Sequence, residues 1–256
     1  MGRIPKPDHL LERQAINPKA EIWEPWPNIV ASHMKKPYVN TCIWGGSNTE
    51  IYNRVLEVVL NTEDDIEYII IGTTEFTRFR LPWVKLDTTC PRQPTFSVNQ
   101  SDQEKRAPLE KIFKEWGFSE FANKSYEYLK QPAVAKQICA NNFQAIINLG
   151  LLAQLKKAKL IVLPLMWPFP FYGQDEHEQL YIWKYEAINH PLFPYAQTLS
   201  GVDWGKYFVQ GGCVNKDLWP WFGEEYVVDV NKNAHPNEKG SELIAKTFLE
   251  KIEINC

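Results

Sequence analysis

The chain has 256 residues and a formal net charge of −3, with 28 basic against 31 acidic side chains. Its sequence pI near 6.0 leaves no basic excess to displace counterions from phosphates, which argues against a dedicated nucleic-acid binder. Apolar residues at 44% and charged residues at 23% indicate a soluble globular protein that can bury a large core without disulfide or metal staples.

The cysteines and the N-terminal segment bear on cellular location. The cysteines show neither a CxxC pair nor the Cys/His spacing of a zinc site, which predicts reduced thiols and no metal centre. The N-terminal segment lacks the apolar stretch of a secretory signal, and no apolar run approaches the roughly 20 residues that cross a bilayer. We therefore expect a cytosolic setting and no membrane partner. The five cysteines are Cys42, Cys90, Cys139, Cys213 and Cys256.

Helices and strands alternate in the first part of the chain, after an irregular arm predicted over residues 1–25. Apolar spacing predicts amphipathic helices, and runs of β-branched and aromatic residues predict strands. In chain order, the pattern predicts a helix over Trp26–Met34, a strand over Tyr38–Trp44, a turn over Gly45–Asn48, a helix over Glu50–Leu60 and a strand over Ile66–Gly72.

The rest of the chain predicts further helices around a third buried strand. Residues 78–99 are loop-like and residues 103–158 are mostly helical. An apolar strand over Lys159–Trp167 is followed by a long aromatic, proline-rich insertion at about 168–222, a short strand over Glu225–Val230, a loop containing His235 and an amphipathic final helix. This order predicts a single α/β domain over 26–256, with a mostly parallel sheet in a three-layer α/β/α, flavodoxin-like arrangement.

Three segments with distinctive residues are expected at one edge of this sheet, where ligands bind at the carboxyl ends of parallel strands. Gly45–Asn48 follows the first predicted strand, Gly72–Glu75 follows the second, and His235 precedes the last helix. A serine, glycine amides and a late histidine are the nucleophile, oxyanion donors and general base that acyl transfer needs.

The same segments resemble the SGNH (GDSL-type) hydrolase superfamily, and most of all the versions encoded by tailed bacteriophages. The segment HPNEKGSELIAKTF, which begins at His235, is similar to the family's last block with its histidine, proline and glycine. WPNIVASHMKKPYVNTCIWGGSNTEIYNRV, followed by DDIEYIIIGTTEFTRFR, is similar to its earlier blocks. The resemblance covers roughly residues 26–80 and 225–252 and implies an α/β/α fold and serine esterase chemistry without a metal or organic cofactor.

The resemblance implies a catalytic role for His235 as the base. The family has an aspartate three residues earlier, but this chain has Lys232 there, so Asp229 is the nearest acid upstream that could orient the base. Ser47 is the nucleophile if GGSN is the family's first block. If GGSN is the second block, the first block lies before Trp26, where there is no serine, threonine or cysteine, and the nucleophile is missing.

The resemblance also implies an oxyanion site, and residues near the predicted strand ends are candidate substrate contacts. Thr74 stands where the family has the asparagine of its third block, and its hydroxyl can donate one hydrogen bond. Arg78, near the predicted strand end, could form a surface pair with Glu75, or its guanidinium could hold an anionic substrate group. The implied oxyanion residues are Gly46, Gly72 and Thr74, and the candidate substrate contacts are Asn48, Glu75 and Arg78.

Simpler interpretations stand beside these roles. Ser47 is also a good helix N-cap after a Gly-Gly turn, Asp229 suits a strand end at the surface, and His235 suits a loop. The run Asp175–Glu178 has poor spacing for one metal and indicates a solvated loop. Seven aromatic residues could line a sugar-stacking cleft, but they also suit core packing or a subunit interface. They are Trp167, Phe169, Phe171, Tyr172, Tyr181, Trp183 and Tyr185.

Two functions follow from these observations. The missing upstream nucleophile and Lys232 in the acid's place favour a non-catalytic SGNH-like protein, a phage virion or assembly component in the virion or host cytoplasm. Its N-terminal arm and aromatic loops would then contact other subunits. The alternative is an active serine esterase that deacetylates a glycan or a small ester with Ser47 and His235.

Overall fold

The computed structural model describes residues 24–41, 47–76, 78–79, 96–97, 131–166, 168, 176–208, 217–229 and 233–254. The chain divides into two compact units. One comprises Met1–Asn40 with Lys216–Cys256 and is called the terminal unit here, and the other comprises Thr41–Asn215 and is called the central unit. The prediction of a single domain over 26–256 stays a prediction. All but the last two residues of the predicted arm lie outside the described residues.

The central unit is mostly helical around a parallel pair of strands. Its described helices are α2 (Asn48–Asn61), α3 (Pro132–Lys156), α4 (Glu176–Ile188), α5 (Phe193–Ser200) and α6 (Trp204–Phe208). Its described strands are β1 (Tyr68–Thr73), β2 (Arg78–Phe79), β3 (Phe96–Ser97) and β4 (Lys159–Pro164), with β2 and β3 forming a short antiparallel pair. The terminal unit holds α1 (Trp26–Met34), 3-10 turns over Pro220–Phe222 and Glu224–Tyr226, β5 (Val227–Asp229), β6 (Asn233–Pro236) and α7 (Glu238–Ile254).

Strands β1 and β4 pair in parallel, in register from Tyr68 opposite Lys159 to Thr73 opposite Pro164. Ile71 and Val162 are opposite one another and belong to the apolar core that α2 and α3 help to form. The central unit therefore combines helices with a parallel pair of strands, as the buried apolar runs predict.

The long helix α3 forms one side of that core. Pro132 occupies its first turn, where proline costs no hydrogen bond. Lys157 ends it in the left-handed conformation, with φ of 55°, and the N–H groups of Lys157 and Ala158 bond back to Gln154 and Ala153. The helical prediction over 103–158 is thus confirmed from Pro132 to Lys156, and residues 103–130 lie outside the described part of the chain.

A cluster of aromatic rings fills the core beside α3. Phe76 lies 5.5 Å from Phe143 and 5.4 Å from both Trp204 and Phe208, measured between ring centroids. All four side chains are fully buried or nearly so. The cluster joins the segment after β1 to α3 and α6, so it positions the residues at the carboxyl end of β1.

The aromatic insertion contains helices that the sequence pattern did not predict. α4, α5 and α6 all lie within residues 168–222. On α4, Trp183 is completely buried while Tyr181 and Tyr185 are exposed. Because aromatic residues occupy both the inner and the outer face of α4, the apolar periodicity that reveals an amphipathic helix is absent.

Two local predictions are corrected. Tyr38 to Thr41, predicted as the start of a strand, has no regular secondary structure. His235, expected in a loop, lies in β6, which pairs antiparallel with β5 through Val227–Pro236 and Asp229–Asn233. The rest of the first predicted strand, Cys42–Trp44, lies outside the described residues.

The terminal unit is held by α1, α7 and the β5–β6 hairpin. The Trp26 ring stacks on Phe248 of α7 at 4.5 Å. Asn237, just before α7, accepts a hydrogen bond from the Gly240 N–H at 3.0 Å and donates to the carbonyl of Glu225 at 2.9 Å. A side chain at Gly240 would collide with the Tyr226 carbonyl, so glycine lets the first turn of α7 approach the preceding 3-10 turn. No helix in the described ranges is long and apolar enough to cross a membrane.

Candidate functional site

Ser47 is the N-cap of α2. Its hydroxyl oxygen accepts a hydrogen bond from the Glu50 N–H at 3.3 Å, and its own N–H donates to the Glu50 carboxylate at 3.1 Å. This reciprocal pair is a capping box, which satisfies backbone donors that the first helical turn would otherwise leave open. The Glu50 carboxylate also lies where the positive end of the helix dipole favours a negative charge.

Burial removes Ser47 from water. The residue is 2% exposed and Glu50 is 4% exposed. An attacking serine needs its oxygen within reach of a substrate and of a general base that takes its proton. In the structure, that oxygen instead accepts a backbone hydrogen bond in a closed turn.

Asn48, the first residue of α2, clamps the backbone that follows β1. Its side-chain Oδ1 accepts from the Thr74 N–H at 2.9 Å, and its Nδ2 donates to the Thr74 carbonyl at 3.2 Å. The second Nδ2 hydrogen is donated to Oδ1 of Asn142 at 2.8 Å. Both donors of the Asn48 amide are therefore used inside the protein, and the residue is 3% exposed.

Asn142 of α3 completes this buried amide network. It lies 94 residues from Asn48 in the chain and donates from its Nδ2 to the carbonyls of Phe76 and Ile138, at 2.9 and 2.8 Å. The side-chain amide donors of Asn48 and Asn142 are all hydrogen-bonded. The network therefore holds the segment Thr74–Phe76 against α3 and leaves none of these amide hydrogens unpaired. We name this set, Asn48, Thr74 and Asn142, the amide clamp.

Sequence reasoning missed Asn142, although a signal was present. Ile138, Asn142 and Ile146 are spaced four residues apart on one face of α3, and all three are buried. An asparagine at a core position of an apolar helix face requires hydrogen-bond partners. The sequence alone does not show that the partners come from the carboxyl end of β1.

The groups implied for the oxyanion are engaged elsewhere in the protein. The Thr74 N–H donates to Asn48, and the Thr74 hydroxyl donates to the sulfur of Met166 at 3.7 Å. Gly72 lies within β1 opposite Leu163. Gly46 lies outside the described residues. The arrangement around Thr74 fixes a strand end and presents no free donor from that residue to a reacting oxygen.

The remaining predicted site residues are placed as follows. Glu75 is buried between Thr74 and Phe76 at the carboxyl end of β1. Arg78 lies in β2, opposite Ser97 of β3. Asp229 and His235 belong to the terminal unit, in the paired strands β5 and β6. The structure therefore brings Ser47, Asn48 and Thr74 together, and the catalytic roles stay predictions.

Metal binding has no support among the described side chains. No group of three or more histidine, cysteine, aspartate or glutamate residues in the described ranges is arranged to hold an ion. Cys139, the free cysteine in this part of the chain, is completely buried. Burial, together with the nearby Glu186 carboxylate, strongly raises the pKa of the Cys139 thiol, which keeps it protonated and a poor nucleophile.

Comparison of the chain with protein-family models, with curated proteins and with solved structures gave no match.

We expect Ser47→Ala to lower the free energy of unfolding by about 1 kcal/mol, because the capping oxygen is lost from α2. Urea unfolding followed by tryptophan fluorescence measures this change. Ser32→Ala is the matched control, since Ser32 is exposed on α1, and it should leave the unfolding midpoint nearly unchanged. Equal midpoints for Ser47→Ala and the unaltered chain would contradict the capping role.

Proposed function

We propose that this chain is a non-catalytic SGNH-like protein that serves a tailed bacteriophage as a virion, assembly or binding component. The burial of Ser47 inside a capping box carries the proposal. Its hydroxyl oxygen bonds to Glu50 N and the residue is 2% exposed, so the serine that GGSN supplies acts as a helix cap.

The oxyanion side of the site supports the same conclusion. In an active hydrolase, preorganised donors point at the position where negative charge develops. Here the Thr74 N–H donates to the Asn48 side chain, and the Thr74 hydroxyl donates to the Met166 sulfur. Ser47 and Thr74, the candidates for nucleophile and oxyanion donor, both hydrogen-bond within the protein. This arrangement is expected of a chain that keeps a fold without its chemistry.

The sequence supplies two further supports. The resemblance places an acid at position 232, where this chain has lysine. If GGSN is the family's second block, the resemblance also places a serine before Trp26, where this chain has none. Losing either the nucleophile or the base removes most of the rate of such a triad. The proposal keeps the three-layer α/β/α arrangement of that family as its fold, and the virion or host cytoplasm as its location.

Exposed aromatic residues offer a contact surface for such a role. Tyr181 and Tyr185 lie one turn apart on α4, 68% and 55% exposed, with stacked rings 6.4 Å apart. Aromatic side chains are enriched in the cores of protein interfaces. The partners that this surface suits are other subunits rather than nucleic acid, because the chain has no basic excess.

Hydrolysis of p-nitrophenyl acetate tests the proposal against the active-esterase alternative. We expect the full chain, Ser47→Ala and His235→Ala to show the same slow rate, since no activated serine acts. A rate for the unaltered chain roughly a hundredfold or more above both variants would establish the serine esterase and overturn the proposal. Circular dichroism of each variant confirms that it is folded during the assay.

A further inference from the structure

His190 closes the corner between α4 and α5. Its ring Nδ1 accepts a hydrogen bond from the Leu192 N–H at 3.1 Å. The backbone N–H of His190 donates to the Ala187 carbonyl at 3.2 Å, and the backbone carbonyl of His190 accepts from the Phe193 N–H at 3.0 Å. The residue is 8% exposed, so this turn is closed by a buried imidazole.

The hydrogen bond to Leu192 fixes the protonation state of that imidazole. A backbone N–H can only donate, so Nδ1 must carry a lone pair, and the ring is the neutral form with its proton on Nε2. An imidazolium carries a proton on both nitrogens. Protonation would therefore set the Nδ1 proton against the Leu192 N–H and break the bond that closes the corner.

The corner is tied to the aromatic core. The His190 ring lies 5.6 Å from the Phe143 ring of α3, and Phe193, at the start of α5, lies 5.9 Å from Phe143 and from Phe208 of α6. A change in the turn at His190 therefore acts on the residue through which α5 enters the ring cluster.

Two charged side chains act on His190 from the helices around it. Burial lowers the pKa of His190 from its ordinary value of 6.5, Lys136 on α3 lowers it further, and Glu186 on α4 opposes them. α5 carries no charged residue. The other titratable side chains on α3, α5, α6 and the turn before α6 are the buried Cys139, the exposed Lys156, Tyr195, Asp203 and Lys206, and the half-buried Tyr207.

We propose that the α4–α5 corner is a pH-sensitive latch, in which protonation of His190 breaks the hydrogen bond to Leu192 and releases the start of α5 from the ring cluster. The latch is independent of the proposed virion role. Two features form the latch. The turn at His190 needs a neutral imidazole, and Phe193, just after that turn, packs against the ring cluster.

The direction of the pH effect follows from proton binding. The closed corner holds His190 with a pKa below 6.5, and the open corner exposes it with a pKa near 6.5, so opening takes up a proton in acid. The stability that the latch contributes is complete above pH 6.5. It falls as the pH drops below that value and is lost once the pH passes the pKa of the closed corner.

Amide hydrogen exchange of the full chain, followed by NMR, tests the latch. Between about pH 7.5 and about pH 5.5, we expect the opening constant at the Leu192 and Phe193 amides to rise up to roughly tenfold, after correction for the intrinsic exchange rate. Protection in the middle of α2 should stay constant. That contrast separates a local opening from general acid unfolding.

His190→Asn is the decisive variant. An asparagine oxygen accepts from the N–H two residues on, the geometry of an Asx turn, and does not titrate in this range. We expect Leu192 protection in His190→Asn to become independent of pH, while His33→Asn, which removes an exposed histidine on α1, keeps the pH dependence of the unaltered chain.

Two results would overturn the latch. One is pH-independent protection of Leu192 in the unaltered chain, and the other is the same acid loss of protection in His190→Asn. If His190→Asn does not fold, NMR titration of the His190 ring in the unaltered chain decides. A ring that titrates below 6.5 supports the latch, and one that titrates at or above 6.5 contradicts it.

Discussion

Replacing Phe76 with alanine is expected to destabilise the protein by about 3–5 kcal/mol, the cost of truncating a fully buried phenylalanine. The ring is completely buried and contacts Phe143, Trp204 and Phe208. Its loss leaves a cavity where the segment after β1 meets α3 and α6. A loss of this size is a large part of the stability of a typical domain.

Urea unfolding followed by circular dichroism at 222 nm measures the effect of Phe76→Ala. Tyr195→Ala is the matched control, because this aromatic side chain is 63% exposed on α5, and we expect a change within about 0.5 kcal/mol. A cost below about 1 kcal/mol for Phe76→Ala would show that the ring is not the centre of the core. Phe76→Leu, which keeps most of the buried volume, should recover much of the loss.

Asn142→Ala is expected to lower the free energy of unfolding by about 2–4 kcal/mol, because it removes the α3 residue of the amide clamp. The Phe76 carbonyl loses the hydrogen bond from Asn142, and one Nδ2 hydrogen of Asn48 loses its acceptor, the Asn142 Oδ1. Each buried group left unpaired costs about 1–3 kcal/mol. The same change should raise hydrogen exchange at the Thr74 amide, since Asn48 loses the bond that orients its side chain.

The neighbouring asparagine gives the matched control for that change. Asn141 lies on the exposed face of the same helix, where it accepts a hydrogen bond from Gln137. Asn141→Ala carries the same side-chain truncation at the surface, and we expect it to be neutral or slightly stabilising. Equal losses of stability for the two variants would contradict the clamp, since they would trace the effect to the helix and not to the buried hydrogen bonds.

The elements that local pattern predicts well are those whose signals are short-range. Helix α1 is confirmed over Trp26–Met34, with proline in its first turn. The prediction over Glu50–Leu60 falls within α2, which begins two residues earlier because Ser47 caps it. The apolar runs after Asp65 and Lys159 form the parallel pair β1 and β4.

One short hairpin and the long-range contacts were not predictable in this way. β6 pairs with β5 through Val227–Pro236 and Asp229–Asn233, a local hairpin that the loop-like composition around His235 hides. The amide clamp joins residues from α2, β1 and α3. Asn48 and Thr74 could be identified as a site from the strand-end rule, but their mutual hydrogen bonds depend on how the strand end packs.

The central claim is that Ser47 is a buried helix cap and not an activated nucleophile. Reaction of the folded, full-length protein with a fluorophosphonate probe, followed by peptide mass spectrometry, tests it most directly, because the probe marks serines that a neighbouring base activates. We predict no modification of Ser47 in the native protein, under conditions that fully label a known serine esterase in the same tube. Stoichiometric labelling of Ser47 that is lost in His235→Ala would contradict the claim and establish an acyl-transfer enzyme.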